Sequence, residues 1–356
     1  MHGGNIYDGT ITLDCSVNLN PLGIPGEVKK ALEASLAMAD TYPDPESTAL
    51  REALSLRLGI PKQQILAGNG ASELIPAIVR AVHPMRALLP APCFSGYERA
   101  FRACGITPSF FPLSWERGFL PGGEFLDAID KVRPDLVFLT NPENPSGALL
   151  ARDLVLAAAD RLAPFGGILV CDECFLALSG RTEASVLREP EDFCKRPGLV
   201  MLNAFTKTYA IPGIRLGFAA FSDPALAENV SLQLPEWNLS IPAQAAGLAC
   251  LQVPENYLET SVRLIRRERE VLERSLTRLG ARVCPSEANY LLFRWRDPDT
   301  DLYARCRALG ILIRDCSDYR GLDQGDYRIA VRTSRENARL LACLREIAAK
   351  EEENRK

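Results

Sequence analysis

Apolar positions along this chain fall into two periods, and their alternation predicts a sheet covered by helices. Between residues 48 and 82, TALREALSLRLGI and SELIPAIVRAV carry apolar residues at helical spacing, and ILAGNG between them reads as a short strand running into a glycine turn. Further on, continuous apolar runs alternate with helical stretches: RALLPAP and then SGYERAFRACG, DLVFLTNP and then RDLVLAAADRLAPFG, followed by GILVCDE and GLVMLNAFTK as strands. Runs that are apolar at every position and separated by helices suit a parallel sheet buried on both faces. The pattern changes near residue 235, at LPEWNLSIPAQ. A long charged helix follows over ENYLETSVRLIRREREVLERSLTRLG, then ANYLLFRW, a helix at DTDLYARCRALG, ILIRDC, DYRIAVRTS and a closing helix. The expected organisation is an N-terminal segment over 1–45 packed at the active site, a large α/β domain over 46–250 and a small α+β domain over 251–356.

Composition narrows the function classes. A chain of 356 residues with 47% hydrophobic and 24% charged content suits a globular two-domain protein. A net charge of -4 argues against a general nucleic-acid binder, so a small molecule is the expected partner. The start, Met1 to Asn5, lacks the basic-then-apolar order of a signal peptide, and no apolar run approaches a membrane span. A cytoplasmic location with no membrane partner is therefore expected. The 11 cysteines are scattered through apolar stretches, as buried thiols usually are, without the even framework of a secreted domain. His2 and His83 are the only histidines, which excludes a multi-histidine zinc site and leaves a Ser-His-Asp or Cys-His engine only two candidates.

In parallel α/β sheets the ligand sits beyond the carboxyl ends of the strands, so the informative residues are those just after each apolar run. They are Gly68-Asn69-Gly70, then Pro92-Cys93-Phe94, then NPENPSG over 141–147, then Asp172, then Thr206-Lys207. Taken alone, the glycines read as a tight turn, Phe94 as core and NPENPSG as a turn built of Asn, Pro and Gly. Asp172 is harder to dismiss, because an acid directly after Ile168-Leu169-Val170-Cys171 lies deep in the sheet and needs a partner. Lys207 sits between VMLNAF and YAIPGIRLG, a setting too apolar for a surface lysine, and desolvation would lower its pKa and free its amine as a nucleophile toward an aldehyde. Together these residues suit pyridoxal phosphate (PLP): Lys207 would hold the aldehyde, Asp172 keep the pyridine nitrogen protonated, Asn144 bond the ring hydroxyl and Phe94 stack on the ring. The helix start at Gly70, Ala71 and Ser72, with Thr206 and Arg215, would take the phosphate.

NPENPSG, CDE and TKTYAIPGIRLG, in that order, resemble the fold-type I PLP aminotransferases close to histidinol-phosphate aminotransferase, over essentially the whole chain. The resemblance implies a large, mostly parallel seven-stranded sheet domain flanked by helices, plus the small α+β domain. HGGN, DCSVNLNPLG, TYPDPESTALREAL, ILIRDCSDYRGLDQGDYRIAVR, and Phe175 where aminotransferases commonly carry tyrosine, resemble the threonine-phosphate decarboxylases of cobalamin biosynthesis within that family. This implies decarboxylation of L-threonine O-3-phosphate to (R)-1-amino-2-propanol O-phosphate, with transamination of histidinol phosphate or a related amino acid as the alternative. By position it also implies that Arg328 binds the substrate carboxylate, that Arg314, His2 and Asn18 surround the substrate, and that Arg332 is a further anion contact. Tyr42 corresponds to a tyrosine reaching the cofactor phosphate of the neighbouring subunit in a homodimer. A hydroxyl residue usual three positions before the lysine is replaced by Ala204, with Asn203 or Ser72 as the substitutes to test.

A remote third reading is a thiol redox or zinc protein built on Cys171 and Cys174. Successive strand residues point to opposite faces, so Cys171 and Asp172 cannot serve one site, and the thiols read as small apolar fillers.

Overall fold

A computed structural model describes residues 3–354; His2 lies outside them. The strands are β1 (Leu13–Asp14), β2 (Ile65–Gly68), β3 (Ala87–Ala91), β4 (Ser109–Pro112), β5 (Leu136–Thr140), β6 (Ile168–Asp172) and β7 (Leu199–Ala204). After them come β8 (Gly217–Phe221), β9 (Arg282–Val283), β10 (Tyr290–Arg294), β11 (Ile311–Leu312), β12 (Arg314–Asp315) and β13 (Asp326–Ala330). Among the described residues, the large sheet has seven strands in the order β2-β8-β7-β6-β5-β3-β4. It is parallel except for β8, which runs antiparallel to both of its neighbours.

The continuous apolar runs are explained by two cores, one on each face. Val137, Leu139, Leu169, Cys171, Leu199 and Met201 face one; Leu136, Phe138, Val170, Val200 and Leu202 face the other. A strand buried on both sides has no polar alternation to show. At the carboxyl end of β6 this alternation sends the Cys171 side chain into the first core and that of Asp172 to the face where Tyr97 packs.

The smaller sheet has the order β12-β13-β10-β9, and a separate two-stranded parallel pair joins β1 to β11. The run ILIRDC is thus split: β11 belongs to one pairing and β12 to the other. The helix Glu255–Arg278 buries Ser261, Ile265, Leu272 and Leu276 along one stripe and packs on the smaller core with Leu291, Phe293 and Ile329.

Candidate active site

Five strand ends and the small sheet converge on a cleft of about 270 Å³. Asn18, Gly70, Ala71, Ser72, Phe94, Asn144, Asp172, Phe175, Thr206, Lys207, Arg215, Arg314 and Arg328 all line it. Among the described residues, the structure does not bring Tyr42 or Arg332 there. Tyr42 is 78% exposed and rests against Trp237, with ring centroids 5.2 Å apart. Arg332 does not line the cleft: β13 ends at Ala330, before it, and its guanidinium donates to Glu336 at 2.9 Å.

Each wall is held by its own local device. Gly70 has φ +78, a backbone conformation that strains any L side chain, and a Cβ there would stand 2.7 Å from the Arg215 guanidinium and push it out of place at the turn before the helix Ala71–Val82. Arg215 donates to Ser72 Oγ at 2.6 Å, joining the helix start to the loop after Lys207. In NPENPSG, Asn141 bonds Leu150 in both directions, accepting its N–H at 2.9 Å, and Ser146 donates to Glu143. These bonds fix a loop from which Asn144 accepts a hydrogen bond from Arg328. Arg328 also donates to the Ser16 carbonyl at 3.0 Å. Arg314 pairs across the ladder with Arg328 and is clamped by both carboxylate oxygens of Asp318, at 2.6 and 2.9 Å.

Asp172 accepts from Tyr97 Oη at 2.7 Å and from the Cys174 N–H at 3.0 Å. Burial raises its pKa, and these two hydrogen bonds pull against that rise. Burial also brings the Lys207 ammonium down to about 8, with Arg328 close enough to add to the effect. Lys207 Nζ lies 5.9 Å from the centre of the Phe175 ring, which meets Tyr290 edge-on at 5.0 Å. Two residues that the sequence reading missed hold these groups. Tyr97 bonds Asp172, and the Asn20 N–H donates to the Lys207 carbonyl at 3.0 Å while its amide reaches Thr208 and Ser261. Both are long-range contacts with no local signature, although Tyr97 stands three places after Phe94 at the start of a helix.

Asn203 turns its amide oxygen back onto the Ala204 N–H at 2.7 Å and is not part of the lining, whereas Ser72 is. Burial raises the Cys171 and Cys174 thiols well above their ordinary range, which leaves them protonated and poor as metal ligands or nucleophiles.

A lysine made less basic by its surroundings shares this cleft with a buried acid, an aromatic face and a helix start with an arginine beside it, which is the donor set PLP requires. At the carboxyl edge of a mostly parallel seven-stranded sheet, it defines a fold-type I PLP-dependent enzyme. The chain belongs to the class I and II aminotransferase family, whose model matches residues 10–344. It is 36% identical to threonine-phosphate decarboxylase of Salmonella typhimurium, over 97% of this chain and 96% of that protein. It is 32% identical to histidinol-phosphate aminotransferase 1 of Carboxydothermus hydrogenoformans, over 93% and 91%. Its fold superposes on the crystal structure of histidinol-phosphate aminotransferase from Clostridium acetobutylicum with a TM-score of 0.85 at 26% identity, covering 95% of this chain and 99% of that one. PLP is the cofactor of this family and of this chain.

Proposed function

We propose that the protein decarboxylates L-threonine O-3-phosphate to (R)-1-amino-2-propanol O-phosphate, a step of cobalamin biosynthesis. The observation that carries this reading is the 36% identity to a threonine-phosphate decarboxylase along almost the full length of both chains. The cleft supports it with two guanidiniums, Arg314 and Arg328, side by side in the small sheet and within reach of one small ligand with two anionic ends.

In this reading Arg328, oriented by Asn144 and the Ser16 carbonyl, binds the substrate carboxylate. Arg314 takes the phosphate, which competes with Asp318 for its guanidinium. Phe94 and Phe175 exclude water, while Ser72, Thr206 and Arg215 hold the cofactor phosphate and Asn144 its ring hydroxyl. When bound, PLP supplies a ring that accepts the electron pair left at Cα as a bond there breaks. Which bond breaks would be decided by how Arg314 and Arg328 turn the substrate: they would either present its carboxylate for loss as carbon dioxide or hold it back and leave Cα–H exposed. Lys207, once free of the aldehyde, would be the group placed to give a proton to Cα in place of the departing carboxylate.

Transamination of histidinol phosphate is the second reading, favoured by the aminotransferase relative at 32% identity. Incubation with L-threonine O-3-phosphate should release carbon dioxide without glutamate formation. Glutamate from histidinol phosphate and 2-oxoglutarate, with no carbon dioxide from threonine phosphate, would make the aminotransferase the correct reading.

The exposed Tyr42, its ring tilted against that of Trp237, fits a side chain that reaches the cofactor phosphate in the cleft of a second copy. A homodimer with shared active sites follows, and light scattering of the purified protein should give twice the chain mass; a monomeric mass in an active preparation removes this role for Tyr42.

A further inference from the structure

Asp172 has two hydrogen-bond donors, and only one of them belongs to its own strand end. The Cys174 N–H arises from the turn that follows β6, but Tyr97 reaches in from the helix Ser95–Ala103 on another part of the chain. Tyr97 is fully buried, and its ring is stacked on Phe138 at 4.7 Å and meets Phe94 edge-on at 5.5 Å. A phenol so enclosed must satisfy its hydroxyl within the protein. Its oxygen lies 2.7 Å from Asp172 Oδ2 and 2.9 Å from Thr140 Oγ1. A phenol has a single hydrogen to give, and a carboxylate can only accept. The direction of the chain follows: Thr140 donates to Tyr97, and Tyr97 donates to Asp172. Thr140 is itself fixed, because β5 and β6 pair Thr140 directly with Asp172.

We infer that Tyr97, backed by Thr140, is a positioning residue that sets the proton affinity of Asp172 and thereby keeps the cofactor's ring proton on the ring. This rests on the reading of Asp172 as the partner of the ring nitrogen. A carboxylate oxygen that accepts a strong hydrogen bond is a weaker base than one that does not. With Tyr97 in place, a proton shared between Asp172 and a ring nitrogen resides on the nitrogen, where it makes the ring electron-poor. Without the hydroxyl, Asp172 becomes the stronger base and the proton moves to the carboxylate. The same tyrosine orients the acid, since the second oxygen is held by Cys174 and the carboxylate cannot rotate while both bonds stand. Tyr97 therefore acts through Asp172 and touches no reacting atom.

Tyr97→Phe keeps the ring, its stacking on Phe138 and the core volume, and removes only the hydroxyl. Three measurements on the purified enzyme test it: the dissociation constant for PLP, the position of the visible absorption band of the bound cofactor, and kcat separately from KM. Loss of one hydrogen bond to a charged group should weaken PLP binding roughly tenfold, shift the band, and lower kcat about tenfold or more with KM little changed. Thr140→Val should give smaller changes in the same direction. Asp172→Asn is the control on the underlying reading. If Asp172→Asn alters the band and Tyr97→Phe does not, the inference fails while the role of Asp172 stands; if neither alters it, both fail. A Tyr97→Phe protein that melts at a lower temperature but keeps the wild-type band and PLP affinity has lost packing only, which also overturns the inference.

Discussion

Lys207→Ala is expected to abolish the absorption band of covalently held PLP and to lower turnover by about 10⁴-fold, the upper range for loss of a positioned proton donor, with loss of the nucleophile added to it. Alanine removes the amine from the floor of the cleft and leaves the arginines and the phosphate-binding turn in place, so substrate should still bind. A variant that keeps the covalent band would overturn the assignment. The isosteric Lys207→Met makes a second measurement possible, on the cofactor-free protein. Burial lowers this ammonium from 10.5 to about 8, so below pH 8 the folded and unfolded chains both carry the proton and the folded state bears the full cost of a buried charge. Between pH 8 and 10.5 the unfolded chain binds the proton more tightly, so raising the pH relieves the cost. Cofactor-free Lys207→Met should therefore melt above the wild type near pH 7, by an amount that narrows as the pH passes 8.

Asp172→Asn is expected to cost 10²–10³-fold or more in kcat, the scale on which removal of a preorganised charge at a reacting centre is felt. Asparagine has the same shape, and its oxygen can still accept from Tyr97 or from Cys174. It cannot carry the negative charge that would hold a proton on the ring nitrogen. Because burial raises the pKa of Asp172 by more than its hydrogen bonds and the nearby Lys207 lower it, removing its charge relieves the cofactor-free fold of a net cost. Activity should fall while the thermal midpoint holds or rises, and kinetics beside a melting curve check both. A variant retaining more than about a tenth of wild-type kcat would assign the ring partner elsewhere.

Much of this was legible in the sequence because strand ends in a parallel sheet announce themselves. β2, β3, β5, β6 and β7 were visible as buried apolar runs, and Gly70, Phe94, Asn144, Asp172 and Lys207 at or after their ends line one cleft. β4 was missed because it is an edge strand, SFFP, whose Ser109 and Pro112 are exposed, so it carries no buried run. β8, GFAAF, begins with glycine and follows directly on the arginine loop, where the pattern reads as turn. In the site, single strand ends could be read but their tertiary partners could not. Nothing local to FSGY says that Tyr97 meets an acid 75 residues away, and nothing in RIAVRTS says that the strand stops before Arg332.

The pairing of β1 with β11 also bears on when the site comes into being during translation. The segment that begins Leu13-Asp14 lies parallel to Ile311-Leu312, its Cys15 carbonyl takes the Ala330 N–H, and its Ser16 carbonyl takes Arg328 from 312 residues away. The segment leaves the ribosome ahead of the small sheet and can find none of these partners until that sheet has followed it out. The large sheet can fold long before that, as domains do during synthesis. Its lysine and acid then stand at an edge whose fourth wall has yet to be made. The ability to grip a substrate arrives late and all at once, with the last strands.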